Sequence, residues 1–328
     1  MTRPILLKAE GLTKHFGGRP RLFGSDRPVL RAVDGVDLEV RQGETLGIVG
    51  ESGCGKSTMG RLFVRLLDAT GGKVEFDGVD LLSLKGRALT AVRRDLGMVF
   101  QDPWASLDGR MTVRDIIAEP LDIHRVAVGA ERRRRVTELL EVVGLPASAA
   151  DKHPHQFSGG QRQRIGIARA LSLKPRFVVL DEAVSALDVS VQAQILQLLG
   201  DLQAEFGLTF LFISHNLAVV RNVADRVAVM YLGRIVESGP TQALFETPRH
   251  PYTQALLSAI PVPDPERPRR RVVLKGDVPS ALAPPAGCRF HTRCPLAQDI
   301  CRQTPPVVTV GADHTAACHF AIPPLAVS

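Results

Sequence analysis

No stretch of this 328-residue chain approaches the ~18–20 consecutive apolar residues that a helix needs to cross a bilayer. Nor does the N-terminal Met-Thr-Arg-Pro-Ile-Leu-Leu-Lys-Ala-Glu carry the apolar core of a secretory signal. The expectation is a soluble or peripheral protein of the cytoplasm. Heptad runs, internal repeats and low-complexity tracts are also missing, so neither a coiled-coil arm nor a repeat array is expected. Cysteine is scarce and unevenly placed: of five, one stands at position 54 and the other four crowd between positions 288 and 318. What is present is enough chain for one or two domains with a sizeable core. The balance is basic, with a formal net charge of +7 and a pI near 9.5. A basic surface suits nucleic acid or the anionic inner leaflet of a membrane, and does not choose between them. The run Arg132–Arg135 precedes a helical stripe of Val136, Leu139, Leu140 and Val143, and reads as a solvated helix face.

The most informative segment is Gly50-Glu51-Ser52-Gly53-Cys54-Gly55-Lys56-Ser57-Thr58. It fits G-x-x-x-x-G-K-[ST], a loop whose glycines let backbone N–H groups wrap a polyphosphate. The apolar run Glu44 to Val49 before it suits a buried strand. After it, Met59, Leu62, Phe63, Leu66 and Leu67 recur at helical spacing. Strand, Gly-rich turn and helix are the setting in which a helix N-terminus binds anions. Lys56 can reach the β- and γ-phosphates of a nucleoside triphosphate, and Ser57 can ligate Mg²⁺. Cys54 sits where the backbone does the binding, so it reads as tolerated rather than catalytic.

Phe177-Val178-Val179-Leu180-Asp181-Glu182 is an apolar strand ending in two carboxylates. Asp181 is placed to hold Mg²⁺, and Glu182, one residue on, to polarise an attacking water. Upstream, Phe157-Ser158-Gly159-Gly160-Gln161 opens a helix-compatible stretch from Arg162 to Leu171, and Ser-Gly-Gly at a helix start is a second anion grip. One chain cannot easily close two such grips on one nucleotide. Two chains can, each offering its Ser158 loop to the other's Lys56 loop.

In order and spacing, over roughly residues 5–250, these segments resemble the nucleotide-binding subunit of ATP-binding cassette (ABC) transporters. The resemblance implies an α/β fold. Its parts are a P-loop NTPase (RecA-like) core, an antiparallel β-subdomain, a helical subdomain inserted over about 105–170, and a short Cys-containing C-terminal extension. It assigns Lys56 and Ser57 to the Walker A motif, and Asp181 and Glu182 to Walker B and the catalytic glutamate. Gln101 becomes the Mg²⁺-sensing Q-loop glutamine, Ser158 to Gln161 the signature, Ser185-Ala186-Leu187-Asp188 the D-loop, and His215 the switch histidine. An aromatic near the N-terminus should stack on adenine, and Phe16 is the candidate, ahead of an unusually long and basic connection from Gly17 to Pro28. Asp188 also stands where it could cap a helix beginning near Val189. Trp104 lies in the segment that meets the membrane subunit in this family; core and interface are both open to it. Ala183 replaces a common proline, which bears on loop stiffness rather than chemistry.

Organisation follows. Residues 1–250 are expected as the cassette, 251–271 as a Pro- and Arg-rich linker, and 272–328 as the extension. In the last, Cys288, Cys294, Cys301 and Cys318 follow C-x5-C-x6-C-x16-C, with His291, His314 and His319 nearby. Clustered thiols in a cytoplasmic chain suggest a metal site, either tetrahedral zinc or an iron–sulfur cluster, with unligated thiols the remaining alternative. Gly287-Cys288-Arg289-Phe290-His291-Thr292-Arg293-Cys294-Pro295 resembles the C-terminal extension of the ATPases of oligopeptide and dipeptide importers. That resemblance implies a 4Fe–4S cluster. The segment Leu30 to Val36 and the helix Gln161 to Ala170 are similar to the second of the two ATPases in such importers.

The implied function is ATP hydrolysis that powers peptide import from the cytoplasmic face of the inner membrane. The implied partners are a second ABC ATPase, two transmembrane permease subunits and, indirectly, an extracytoplasmic peptide-binding protein, with no nucleic acid. Import of another solute, such as nickel or a metal chelate, is the alternative. A DNA-maintenance ABC ATPase fits the basic pI, but the stretch of about a hundred residues from Lys56 to Ser158 holds no heptads.

Overall fold

The computed structural model describes residues 3–17, 28–260, 272, 274 and 276–321. In chain order its elements are β1 (Ile5–Phe16), β2 (Leu30–Arg41), β3 (Thr45–Val49), α1 (Lys56–Phe63), β4 (Gly71–Phe76), β5 (Val79–Asp80), α2 (Gly86–Val92), β6 (Leu96–Val99), α3 (Val113–Ile123), α4 (Gly129–Val142), α5 (Gly159–Leu171), β7 (Phe177–Asp181), α6 (Val189–Phe206), β8 (Thr209–Ile213), α7 (Leu217–Val223), β9 (Arg226–Tyr231), β10 (Arg234–Pro240), α8 (Thr241–Glu246), α9 (Pro251–Ser258), β11 (Val307–Gly311) and β12 (His314–Ala317). Two compact units result. Of the described residues, one comprises those in 83–213 with 41–44 and 3–4; the other comprises those in 5–40, 45–82 and 214–321.

In the first unit, β6, β7 and β8 are parallel, with Val99 opposite Leu180 and Asp181 opposite Ile213. Every residue of β7 and β8 is buried. That explains the unbroken apolar runs: a parallel strand covered on both faces has no water-facing side to alternate with. The helices of this unit pack through apolar stripes such as Ile116, Ile117 and Leu121 of α3 and Ile165 and Ala168 of α5. On α4, Arg132 pairs with Asp115 and Asp122, and Arg134 and Arg135 pair with Glu131. The basic run is therefore an ion-paired helix face. Trp104 is 58% exposed and lies under the Arg162 guanidinium at 3.5 Å from ring centroid, so it is not core.

In the second unit, a four-stranded sheet runs in the order β2-β1-β4-β5. It carries a bulge between Glu10 and Thr13 where β1 meets β4. A second sheet has β3 parallel to β9, then β10 antiparallel to β9, β12 antiparallel to β10, and β11 antiparallel to β12. The helix after the Gly-rich loop is shorter than its apolar spacing suggests. It ends at Phe63, Arg65 adopts φ 55, and Leu66 is half exposed outside it.

The C-terminal region also departs from expectation. Part of the span 251–271 is not linker but α9, whose Tyr252 is fully buried. Residues 261–271, including Pro261 to Pro265 and Arg267 to Arg271, lie outside the described residues, as does most of the connection from Gly17 to Pro28. The segment beyond is joined to the cassette through the β11–β12 hairpin. Its anchor is Glu237 of β10, 1% exposed, which accepts from the backbone N–H groups of Arg249 (2.7 Å) and His250 (2.9 Å) and meets His314 Nε2 of β12 at 2.8 Å. Burial holds the His250 imidazole neutral, at a pKa of about 4.

A buried carboxylate with this many donors cannot be removed without orphaning them. Glu237→Leu is expected to destabilise the chain by about 3 kcal/mol, measured by denaturant unfolding. A change below about 0.5 kcal/mol would show that the anchor carries no weight.

Candidate active site

The loop of residues 50–58 joins β3 to α1, and its shape depends on glycine. Gly50 has φ 153 and Gly55 φ 109. A Cβ on Gly50 would run into the Met230 carbonyl oxygen, and one on Gly55 into that of Ala32. With the backbone drawn in this closely, Gly233 N–H donates to Cys54 O at 2.8 Å. Lys56, 4% exposed, turns its ammonium inward and donates to Gly50 O (2.8 Å) and Glu51 O (3.0 Å). The loop's own carbonyls thus hold a positive charge at the N-terminus of α1. Replacing carbonyls by phosphate oxygens is what such an ammonium can do. Cys54 is buried, and burial pushes its thiol up, which fits a packing residue and not a nucleophile. Ser52 and Gly53 are exposed, and Ser57 and Thr58 half-buried, in the first turn region.

Also in this unit are Phe16 and His215. Phe16 ends β1, 37% exposed, with Lys14 Nζ at 4.9 Å from its ring centroid. His215 is exposed two residues beyond β8. The turn around it is fixed by its neighbours: Ser214 N–H donates to Ile48 O of β3, and the Asn216 side chain caps α7.

The first unit holds Gln101, Ser158 to Gln161, Asp181, Glu182 and Asp188. Asp181 closes β7, 1% exposed. Glu182 leaves the strand in a left-handed conformation, φ 48, and its backbone N–H donates to Ile213 O of β8. Gln101 Nε2 donates to Glu182 Oε2 at 2.9 Å, so two residues 81 apart in sequence are joined. Ser158 caps α5: its hydroxyl accepts from Gln161 N–H, while the Gln161 side chain accepts from Ser158 N–H. Gly159 and Gly160 form the first turn, and a Cβ at Gly160 would meet the Val191 side chain. Asp188 does precede α6, but its carboxylate makes no capping hydrogen bond. Gln192 instead donates to Val184 O and Leu187 O, closing the loop from the helix side.

The four tail cysteines are all free thiols. Cys301 and Cys318 are buried, the latter packed with Ala316 and Ala321, and Cys288 N–H donates to Cys301 O at 2.9 Å. Burial raises Cys288 and Cys318 and pushes Cys294 up to about 11. The donor chemistry suits a thiolate-binding metal. Among the described residues no group of three or more His, Cys, Asp or Glu is placed to hold a metal ion. The expected metal centre is therefore not shown. His314, counted among its neighbours, is committed to Glu237.

Sequence reasoning missed the side chains that grip the loop from the C-terminal region. Arg293 pairs with Glu51, and the Tyr252 hydroxyl accepts from Glu51 N–H at 2.9 Å. No local pattern marks these contacts, which span 242 and 201 positions.

Residues 33–185 match the family described as ABC transporter, and residues 236–301 the one described as Oligopeptide/dipeptide transporter, C-terminal region. A probable peptide ABC transporter ATP-binding protein, y4tS, of Sinorhizobium fredii is 54% identical over 97% of this chain and 90% of its own. The oligopeptide transport ATP-binding protein AppF of Bacillus subtilis is 52% identical over 96% and 97%. Among solved structures, the dimeric ATP-binding cassette MJ0796, in a post-hydrolysis state with ADP and Pi, shares 32% identity with a TM-score of 0.64. That alignment covers 72% of this chain and 99% of the cassette.

The glycine dependence of the loop yields a direct test. Gly55→Ala should lower ATP affinity at least about a hundredfold, because backbone against the Ala32 carbonyl must move; nucleotide titration measures it. Gly53→Ala, where a Cβ meets nothing within 4 Å and only the backbone strain of φ 77 opposes it, should cost less. Equal losses would refute the packing argument.

Proposed function

The chain belongs to the ABC transporter family of ATP-binding subunits, and from that membership we propose that it hydrolyses ATP to power import of peptides. The observation that carries the ATP-binding part of this reading is the buried Lys56 ammonium inside a loop that only glycine can close; the peptide part rests on the match of residues 236–301. Gly50 to Thr58 bind the triphosphate, with Lys56 exchanging its carbonyl partners for phosphate oxygens. Ser57, Asp181 and Gln101 hold Mg²⁺, which when bound offsets phosphate charge. Phe16 stacks on adenine. Glu182, which accepts a hydrogen bond from Gln101, orients water, and His215 contacts the γ-phosphate.

Two cassettes close face to face, each lending Ser158 to Gln161, with their capped helix N-terminus, and Asp188 to the partner's nucleotide. The partner ATPase is a different chain of the same family. Both act on two transmembrane permease subunits at the cytoplasmic face of the membrane, served by an extracytoplasmic peptide-binding protein. No helix among the described residues is long and apolar enough to cross a membrane, in keeping with a peripheral subunit. Residues 1–250 act as the cassette and 272–328 as its extension. For Cys288, Cys294, Cys301 and Cys318 the proposal is a 4Fe–4S cluster, supported by four thiols within one short segment.

Glu182→Gln keeps shape and hydrogen bonding but removes the charge. Phosphate release by the assembled transporter, with the partner's sites silenced, should fall at least about a hundredfold while ATP binding persists. Near-normal release would end the assignment of Glu182. Separately, anaerobically purified chain should carry iron and sulfide, about four of each, and lose them on Cys294→Ser. Colourless, metal-free protein with four reactive thiols would end the cluster proposal and leave the ATPase reading intact.

A further inference from the structure

The C-terminal segment between Gly287 and Cys294 reaches the phosphate-binding loop and the turn beneath it. Arg293, with a side chain 8% exposed, binds Glu51 through both carboxylate oxygens, Nη1–Oε2 at 2.8 Å and Nη2–Oε1 at 3.2 Å. It also donates to the Tyr231 hydroxyl at 3.4 Å. Arg289 donates to the Leu232 carbonyl and to Asp34. Leu232 precedes Gly233, whose N–H holds Cys54 O. Phe290, between these arginines, is 1% exposed and packs against the rings of Tyr231 and Tyr252, each at a centroid distance of 5.3 Å. Tyr252 in turn accepts from Glu51 N–H. Beside this contact, Val278, Pro279 and Ala281 line one pocket of about 90 Å³ with Glu51, Ser52 and Cys54.

Glu51 is an awkward residue for its place. A carboxylate one position after the first glycine of the loop repels a triphosphate, and more so where water is partly excluded. Its backbone carbonyl is one of the two that hold the Lys56 ammonium, so its position also sets where that charge waits. Arg293 answers both problems. It neutralises the carboxylate with a two-pronged, planar contact, a geometry that Lys cannot reproduce in full. And it ties the loop to the buried aromatic cluster.

We propose that Arg293 is a positioning residue for nucleotide binding, acting through Glu51 to hold the phosphate loop in its receptive shape and to cancel the charge that would repel ATP. The C-terminal extension is then part of the nucleotide site and not an appendage to it. This rests on the ATP-site reading above.

The test is ATP affinity of the full-length chain with Mg²⁺, read with a fluorescent ATP analogue and by competition with ATP, together with KM and kcat of the assembled transporter. Arg293→Ala should weaken ATP binding and raise KM about tenfold with kcat changed less than about twofold. Arg293→Lys should recover part of the loss. In a Glu51→Gln background the carboxylate charge is gone, so adding Arg293→Ala should cost less than about twofold. Unchanged ATP affinity in Arg293→Ala, or a full tenfold further loss in the Glu51→Gln background, would overturn the proposal. If Arg293→Ala does not fold, Arg293→Lys alone decides: an affinity equal to the parent's overturns it. Lys56→Ala is the control for the underlying reading. If it binds ATP like the parent, the site itself is misassigned, whatever Arg293 does.

Discussion

The closeness of backbone to backbone around residues 50–56 is the constraint on which the rest of the molecule depends. Gly50 approaches the Met230 carbonyl and Gly55 the Ala32 carbonyl with no room for a side chain. Gly233 then reaches back to Cys54. The loop is thus shaped by β2, by the β9–β10 turn and by its own Lys56 together. Packing therefore fixes the direction of the loop's N–H dipoles. The same tightness makes the β9–β10 turn a structural partner of the loop.

In the other unit the two carboxylates are held differently. Asp181 is held at the end of a fully buried parallel strand, whereas Glu182 leaves that strand in a left-handed turn and ends in a hydrogen bond to Gln101. The proposed roles of the two carboxylates, one holding a metal and one orienting water, ask for one fixed group and one less constrained group side by side. Burial supplies the first and turn geometry the second. The capping box of Ser158 and Gln161 likewise rigidifies a helix start whose proposed partner is on another chain.

The C-terminal region joins these themes. Glu237 and His314 add the β11–β12 hairpin to the edge of the second unit's sheet, and Arg289, Phe290 and Arg293 carry the segment before it to the phosphate loop. Its thiols meanwhile sit in apolar surroundings that favour their neutral form. A short, Pro-rich segment thereby becomes ordered by packing on a larger neighbour.

Much of this was legible in the residues themselves. Spacing within a motif is local: Gly50, Gly55 and Lys56 lie within one turn, and Leu180, Asp181 and Glu182 follow one strand, so period and glycine placement identify them without a structure. The buried runs of β3, β7 and β8 were equally plain, because double burial writes itself as unbroken hydrophobicity. What periodicity cannot contain is contact between distant segments. The end of α1 before Leu66, the exposure of Trp104 and the absence of a capping bond from Asp188 depend on what each side chain meets. The clustering of four cysteines predicted a shared ligand, but which way each thiol turns is a packing outcome. The pairing of Gln101 with Glu182 and of Arg293 with Glu51 was decided only by tertiary structure, because a charge carries no mark of its partner until folding brings the two within a few ångströms.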